Sequence, residues 1–331
     1  MTTDPPASPR PSRLGAGGPP VTRLGLGLAA LGRPAYITTA RAADLGGDRS
    51  VGAMAQRSFA ALDAAYAAGV RYVDTARSYG RAEEFLADWL SSRDVGDVTV
   101  GSKWGYRYVG AWRMEAPVHE TKDHSLEAFV AQWAQTSATL GDAVAVYQVH
   151  SATFDTGVLG DTALHRELAC LRERGVIPGV TVSGPRQAEL IEKALSIEVD
   201  GLRLFGSVQA TWNVLERSAE AALAAAHDDG VGVIVKEVLA NGRLSDDGDP
   251  SAAPSVRDHA RRTGLDTATV ALAVALTRPW VDVVLSGAVT TRQVHAGARA
   301  VSVAIPTVLV DADPAETPDG YWATRAAREW A

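Results

Sequence analysis

Short apolar runs recur along the chain, each followed by an amphipathic stretch with helical spacing. The strand-like runs are Arg23–Leu31, Val70–Asp74, Val98–Lys103, Ala143–His150, Val176–Ser183, Leu202–Gln209, Gly232–Glu237 and Val281–Leu285. Between them the spacing predicts helices. Ala53–Ala68 puts Phe59, Leu62 and Tyr66 on one face and stops at Gly69, and a helix from Ala82 carries the stripe Phe85, Leu86, Trp89 and Leu90. Ser125–Leu140, a segment around Leu164, Leu168 and Leu171, Pro185–Leu195, Glu216–Asp228, Ser255–Thr263, Thr267–Leu276 and Thr290–Val301 follow. Eight such alternations without a composition break predict an α/β chain with one closed (β/α)8 TIM barrel over residues 21–305.

Two tails flank it. Residues 1–20, rich in Pro, Ser and Gly, read as a disordered N-terminal tail. Residues 306–331 carry Tyr321, Trp322 and Trp330 and are expected to fold back over the barrel mouth. The irregular stretch Trp104–Asp123 is long enough to form a functional wall. Gly25-x-Gly27-x-x-Ala30 matches a loose dinucleotide fingerprint, but Gly32-Arg33-Pro34 follows where a helix would have to open, so a glycine-rich barrel strand is the better reading.

Composition narrows the function. A formal charge of −7 without long blocks of one sign argues against nucleic-acid binding. No run of about 18 apolar residues is present, so a membrane span is not expected. The N-terminus lacks the apolar core of a signal peptide. The single cysteine, Cys170, excludes an internal disulfide, suits a cytoplasmic protein and reads as a buried packing residue in a helix.

Polar residues at the ends of successive runs carry the chemistry. Asp74, Lys103 and His150 close three of them, and Tyr79 follows Asp74 in VRYVDTARSYG. A tyrosine can donate a proton to a carbonyl oxygen if a neighbouring ammonium draws its pKa, about 10 when unperturbed, toward neutrality. A carboxylate paired with that ammonium holds it in place, and a histidine can orient the carbonyl. The set contains no metal cluster and no activated serine or cysteine, so it needs a separate source of hydride.

VDTARSYG, the GSK and VYQVH strand ends, GVTVSG and SVQATWNVLER together resemble the aldo-keto reductases, from about Arg23 to Ala300. The resemblance implies a metal-free barrel that transfers hydride between a nicotinamide and a carbonyl or alcohol: aldehyde, ketone or sugar. Tyr79 would be the general acid/base, tuned by Lys103 and Asp74, with His150 positioning the carbonyl. Ser183 and Gln209 match the residues that hold the nicotinamide amide, although Gly184 stands where an asparagine is common. Lys236 stands where an aromatic residue often stacks on the ring, so Trp212 is a possible replacement for the stacking. Leu239, Asn241 and Arg243 fall at the pyrophosphate loop, and Gly287 and Arg292 at the adenosine stretch. Arg292 is the one basic candidate there for a 2′-phosphate, and Ala296 and Gly297 replace the usual Glu and Asn. The resemblance favours NADP(H) over NAD(H). Tyr36, Trp104, Tyr106 and Trp112 offer aromatic surface for a sugar or an aromatic aldehyde.

The expected partner is a small-molecule carbonyl or alcohol, and neither the substrate, the direction nor the oligomeric state can be read from the residues. Two other readings stay open at this stage: a cofactor-binding regulatory or sensor barrel with little turnover, and a cofactor-free lyase or isomerase.

Overall fold

The structure, a computed structural model, describes residues 12–36 and 41–328. Eight parallel strands close into a barrel: β1 (Leu24–Gly27), β2 (Tyr72–Asp74), β3 (Thr99–Trp104), β4 (Val144–Ala152), β5 (Ile177–Val182), β6 (Ser207–Thr211), β7 (Gly232–Lys236) and β8 (Val283–Ser286). Each strand pairs with its neighbour in sequence and β8 returns to β1, as the alternation predicts. Helices surround the barrel. Val51–Ala67 starts at Ser50, whose hydroxyl accepts from Ala53 N, and Leu126–Leu140 starts at Ser125, which accepts from Ala128 N. Among the described residues no helix is long and apolar enough to cross a membrane.

The barrel interior explains the glycine in β1. Tyr72, Val146, Ile234, Val283 and Leu285 fill the lower barrel. A Cβ on Gly25 would lie 2.9 Å from both Tyr72 Cδ1 and Val283 Cγ1. Gly25 therefore makes room for the Tyr72 ring, and no helix opens behind it to form a dinucleotide fingerprint.

Several expected boundaries move. Residues 12–20 are not a disordered tail: Ser12–Arg13 and Pro20–Val21 form a hairpin that corks the barrel floor. Its Leu14 is 1% exposed, and Gly15 N donates to Asp282 Oδ2 at 3.1 Å. Burying Leu14 offsets the ordering entropy that composition alone assigns to such a segment. Residues 1–11 and Trp330 lie outside the described residues. The sixth strand begins at Ser207, because Leu202–Arg203 turns back on Glu198–Val199 in a small exposed hairpin. The following helix starts at Glu220, since Asn213 Oδ1 caps a turn by accepting from Leu215 N and Glu216 N. Cys170 is exposed; it sits where the helix Thr162–Ala169 tightens into a 3-10 turn that faces its side chain outward.

Near the opposite end, the helix Pro318–Ala326 buries Tyr321 and Trp322. Asn213 Nδ2 donates to Tyr321 Oη at 3.0 Å, and Arg325 forms a bidentate pair with Glu237, the residue after β7.

Candidate active site

The C-terminal ends of the strands converge on a cavity of about 410 Å³ lined by Asp74, Tyr79, His150, Ser183, Gln209 and Lys236. Lys103 and Asp74 form a buried ion pair from adjacent strands, with side chains 1% and 4% exposed. The Lys103 ammonium also donates to Thr75 O at 2.9 Å and to Tyr79 Oη at 3.3 Å. Gln209 closes the network from across the barrel: its amide nitrogen donates to Asp74 Oδ2 at 2.9 Å and to Gln148 Oε1 at 3.1 Å. The amide that the resemblance assigns to the nicotinamide is thus engaged as a buttress of Asp74.

His150 reaches the cavity through an irregularity in its strand. Val149 pairs with Val180 and Ala152 with Val182, so β4 carries one extra residue against β5. Ser151 takes up the bulge at φ 50°, where its backbone N–H donates to Thr181 Oγ1 at 2.7 Å. The imidazole packs edge-on against Tyr79 and Tyr106, with centroids 5.5 and 4.9 Å away. Burial, followed by the charges of Lys103, Arg33 and Lys236, pushes His150 well below the usual histidine range. It is neutral at pH 7 and can donate a hydrogen bond without carrying charge.

The electrostatics of Tyr79 run opposite to the expected tuning. Burial, and then the Asp74 charge, hold the phenol well above its ordinary value, against a smaller pull from Arg33. Lys103 spends its charge on Asp74, and the phenol stays protonated.

A second cavity of about 380 Å³ adjoins the first, sharing Tyr36, Glu237, Leu285, Ser286 and Gly287 with it. Leu239, Asn241 and Arg292 line it, together with Asp44, Asp246, Asp247 and Asp266. Among the described residues no group of three or more His, Cys, Asp or Glu side chains could hold a metal ion.

A sequence model of the Aldo/keto reductase family matches residues 23–311. The chain belongs to this family. As an aldo/keto reductase it is an NAD(P)-dependent oxidoreductase of small molecules. No curated protein matches its sequence. Among solved structures, PA4992 of Pseudomonas aeruginosa, assigned to the aldo-keto reductases, is 22% identical with a TM-score of 0.62 over 89% of this chain and 96% of that one. The aldo-keto reductase AKR11C1 from Bacillus halodurans, in its holo form, is 20% identical with a TM-score of 0.65 over 95% of each chain. At these identities the likeness is one of fold.

Most residues marked in the reductase sequence line the two cavities; Lys103 reaches them through the Tyr79 hydroxyl, while Trp104, Trp112, Trp212 and Arg243 lie elsewhere. Trp104 is fully buried, packed edge-on against Phe129 and His124 at 5.1 and 5.8 Å between centroids, so it belongs to the core and not to a substrate wall. Tyr36 and Tyr106 line the first cavity. Trp112 donates its indole N–H to Arg49 O at 2.7 Å and ties down its loop. Trp212 is buried against Trp280 and cannot replace the missing stacking ring. Arg243 turns from the pyrophosphate loop to Glu316, with Nη1 at 3.1 Å from Oε2, and lines neither cavity.

Lys236 points into the reductase cavity. Its ammonium donates to Ser183 Oγ at 2.7 Å and to Thr211 Oγ1 at 3.1 Å. Burial lowers its pKa to about 8, although Glu237 pulls the other way. Burial pushes the Glu237 carboxyl up, but Arg325 and Lys236 outweigh that and hold it below the usual range.

Arg33 was missed as a site residue, since it was read as part of a chain break between Gly32 and Pro34. It is 2% exposed, pairs with Glu120 at 2.7 Å, and lies 5.2 Å from the Tyr79 ring centroid. Glu120 belongs to a hairpin, Tyr106–Tyr108 with Glu120–Lys122, inside the stretch read as irregular. The one signal available was an arginine in the loop that follows the first barrel strand, at the end where such barrels carry their sites.

Proposed function

We propose that this protein is a carbonyl reductase in which Tyr79 is the proton donor. The observation that carries the reading is the buried chain from Gln209 through Asp74 and Lys103 to the Tyr79 hydroxyl, facing a neutral His150. The two joined cavities suit an extended dinucleotide, each falling in the size range of small-molecule sites. When bound, the nicotinamide supplies hydride to the carbonyl carbon. The chain's residues manage the oxygen: the His150 N–H and the Tyr79 O–H converge on it, and Tyr79 gives up its proton as charge builds there. Lys103, 3.3 Å from the phenol oxygen, stabilises the phenolate that remains. Tyr36 and Tyr106 would border the substrate.

For the cofactor, the resemblance favoured NADP(H), and the second cavity supports NAD(H) instead. Asp44, Asp246, Asp247 and Asp266 line it, against the exposed Arg292. Carboxylates repel a 2′-phosphate and accept hydrogen bonds from a free ribose hydroxyl. Leu239, Asn241 and Gly287 would border the rest of the dinucleotide. A sensor barrel is not favoured, because the whole acid/base set is in place.

The test is a panel of aldehydes, ketones and sugars, with consumption of NADH and of NADPH followed in parallel. Turnover that disappears in Tyr79→Phe supports the proposal; turnover unchanged in that variant refutes the assignment of the acid. Tighter binding of NADPH than NADH would refute the cofactor reading.

A further inference from the structure

We propose that Lys236 makes the site discriminate between the two redox states of its nicotinamide, holding the reduced form in preference to the oxidised one. The inference rests on the functional reading above and concerns a residue to which that chemistry assigns no task.

The register of β6 and β7 pairs Thr211 with Lys236, so the ammonium and the Thr211 hydroxyl sit side by side at the barrel mouth. The Lys236 side chain is 16% exposed and lines the same cavity as Tyr79 and His150. Its near partners at 2.7 and 3.1 Å are hydroxyls, which orient a charge without cancelling it. The nearest carboxylate, Glu237, is 4.0 Å away and holds Arg325 in a bidentate pair. The other acid facing it, Asp74, is spent on Lys103. The cavity is left with an excess positive charge at the end of β7.

That end is where the nicotinamide has to lie. The two cavities join past Glu237 and past Leu285, Ser286 and Gly287, at the ends of β7 and β8. A dinucleotide crossing between them brings its reactive ring alongside those strands. Oxidised and reduced nicotinamide differ by one positive charge on that ring. A fixed ammonium in a partly desolvated pocket repels the oxidised ring and leaves the neutral one alone; at an effective dielectric of about 20, unit charges several ångströms apart shift affinity by tenfold or more. An aromatic side chain would impose no such difference by charge.

Titrating NADH and NAD⁺ into wild type, Lys236→Met and Lys236→Arg at pH 7, by calorimetry or protein fluorescence, tests this directly. NADPH and NADP⁺ form a parallel pair. Wild type is expected to hold the reduced form at least about tenfold more tightly. Lys236→Met should tighten the oxidised form by about that factor and leave the reduced form within about threefold, while Lys236→Arg keeps the wild-type ratio. The preference should also shrink from pH 7 to 9 in wild type and stay flat in the methionine variant. Over that range Glu237 remains anionic, Arg325 cationic and His150 neutral around Lys236, which the Asp74–Lys103 ion pair also faces. Equal weakening of both forms in Lys236→Met would mean a structural role and overturn the proposal, as would an unchanged ratio. A wild-type protein that binds neither redox state of either dinucleotide would overturn the oxidoreductase site itself, an outcome distinct from an altered ratio.

Discussion

Replacing Lys103 by methionine removes one half of a buried ion pair and strands the other. Both side chains are nearly inaccessible, at 1% and 4% exposure. Asp74 would be left with the Gln209 amide against it at 2.9 Å and no cation, and Thr75 O would lose the donor now 2.9 Å away. Breaking a buried pair from one side costs about 3–5 kcal/mol. Removing both charges in Lys103→Met/Asp74→Leu should restore about 2 kcal/mol or more of that loss, since apolar replacements of a buried pair are often close to neutral. Urea denaturation at pH 7, read by tryptophan fluorescence and circular dichroism, measures both. Carbonyl turnover separates structure from chemistry: both variants should lose about 10²-fold or more, because neither can stabilise the Tyr79 phenolate. A Lys103→Met cost below about 1 kcal/mol, or a double variant as unstable as the two single changes added together, would refute the account of the pair.

Tyr79→Phe should remove carbonyl turnover while dinucleotide affinity stays within about twofold, since only the O–H is lost; a parallel loss of affinity would show that the hydroxyl shapes the cofactor site. Gly25→Ala forces a methyl to within 2.9 Å of Tyr72 and Val283 and should cost about 1–3 kcal/mol, visible as a lower melting temperature; an unchanged one would mean the barrel floor yields freely. His124 is held down to about 4, chiefly by burial, and donates to His150 O at 2.9 Å. Its folded pKa is below the unfolded value of about 6.5, so its contribution is complete above that pH. It is lost as pH falls from about 6.5 toward 4, by up to about 3 kcal/mol. His124→Asn should make the acid limb of a stability–pH curve shallower in that window, and an identical limb would contradict the assignment.

The barrel, and the meeting of Asp74, Tyr79, Lys103 and His150 at its mouth, were legible because both are written locally. A buried parallel strand is a short apolar run, and its last residue is the one that faces the mouth. Asp74 closes its strand as that rule has it, whereas Lys103 and His150 lie one and two residues short of their strand ends, and His150 faces the cavity through the bulge at Ser151. Partners from distant parts of the chain were not legible. Gln209 reads as one amide at the end of a run, and nothing near it announces Asp74 or Gln148. Arg33 finds Glu120 only after a hairpin folds within a stretch without regular periodicity. Trp104 and Arg243 show the same limit: their residue types suited a site, but packing on Phe129 and pairing with Glu316 took them elsewhere. Leu14 was hidden by its Pro- and Gly-rich surroundings, where one buried leucine outweighed the composition.

The two ends of the barrel are stopped by segments from outside the eightfold alternation, the hairpin around Leu14 at the floor and the helix bearing Arg325 at the mouth. This gives the molecule a polarity that matters for handling it. A tether or fusion partner attached ahead of Ser12 would leave the cavity mouth open to solution, whereas one attached after the Arg325 helix would hang beside the cavity and compete with incoming ligands. On a surface, the first arrangement presents every molecule mouth outward.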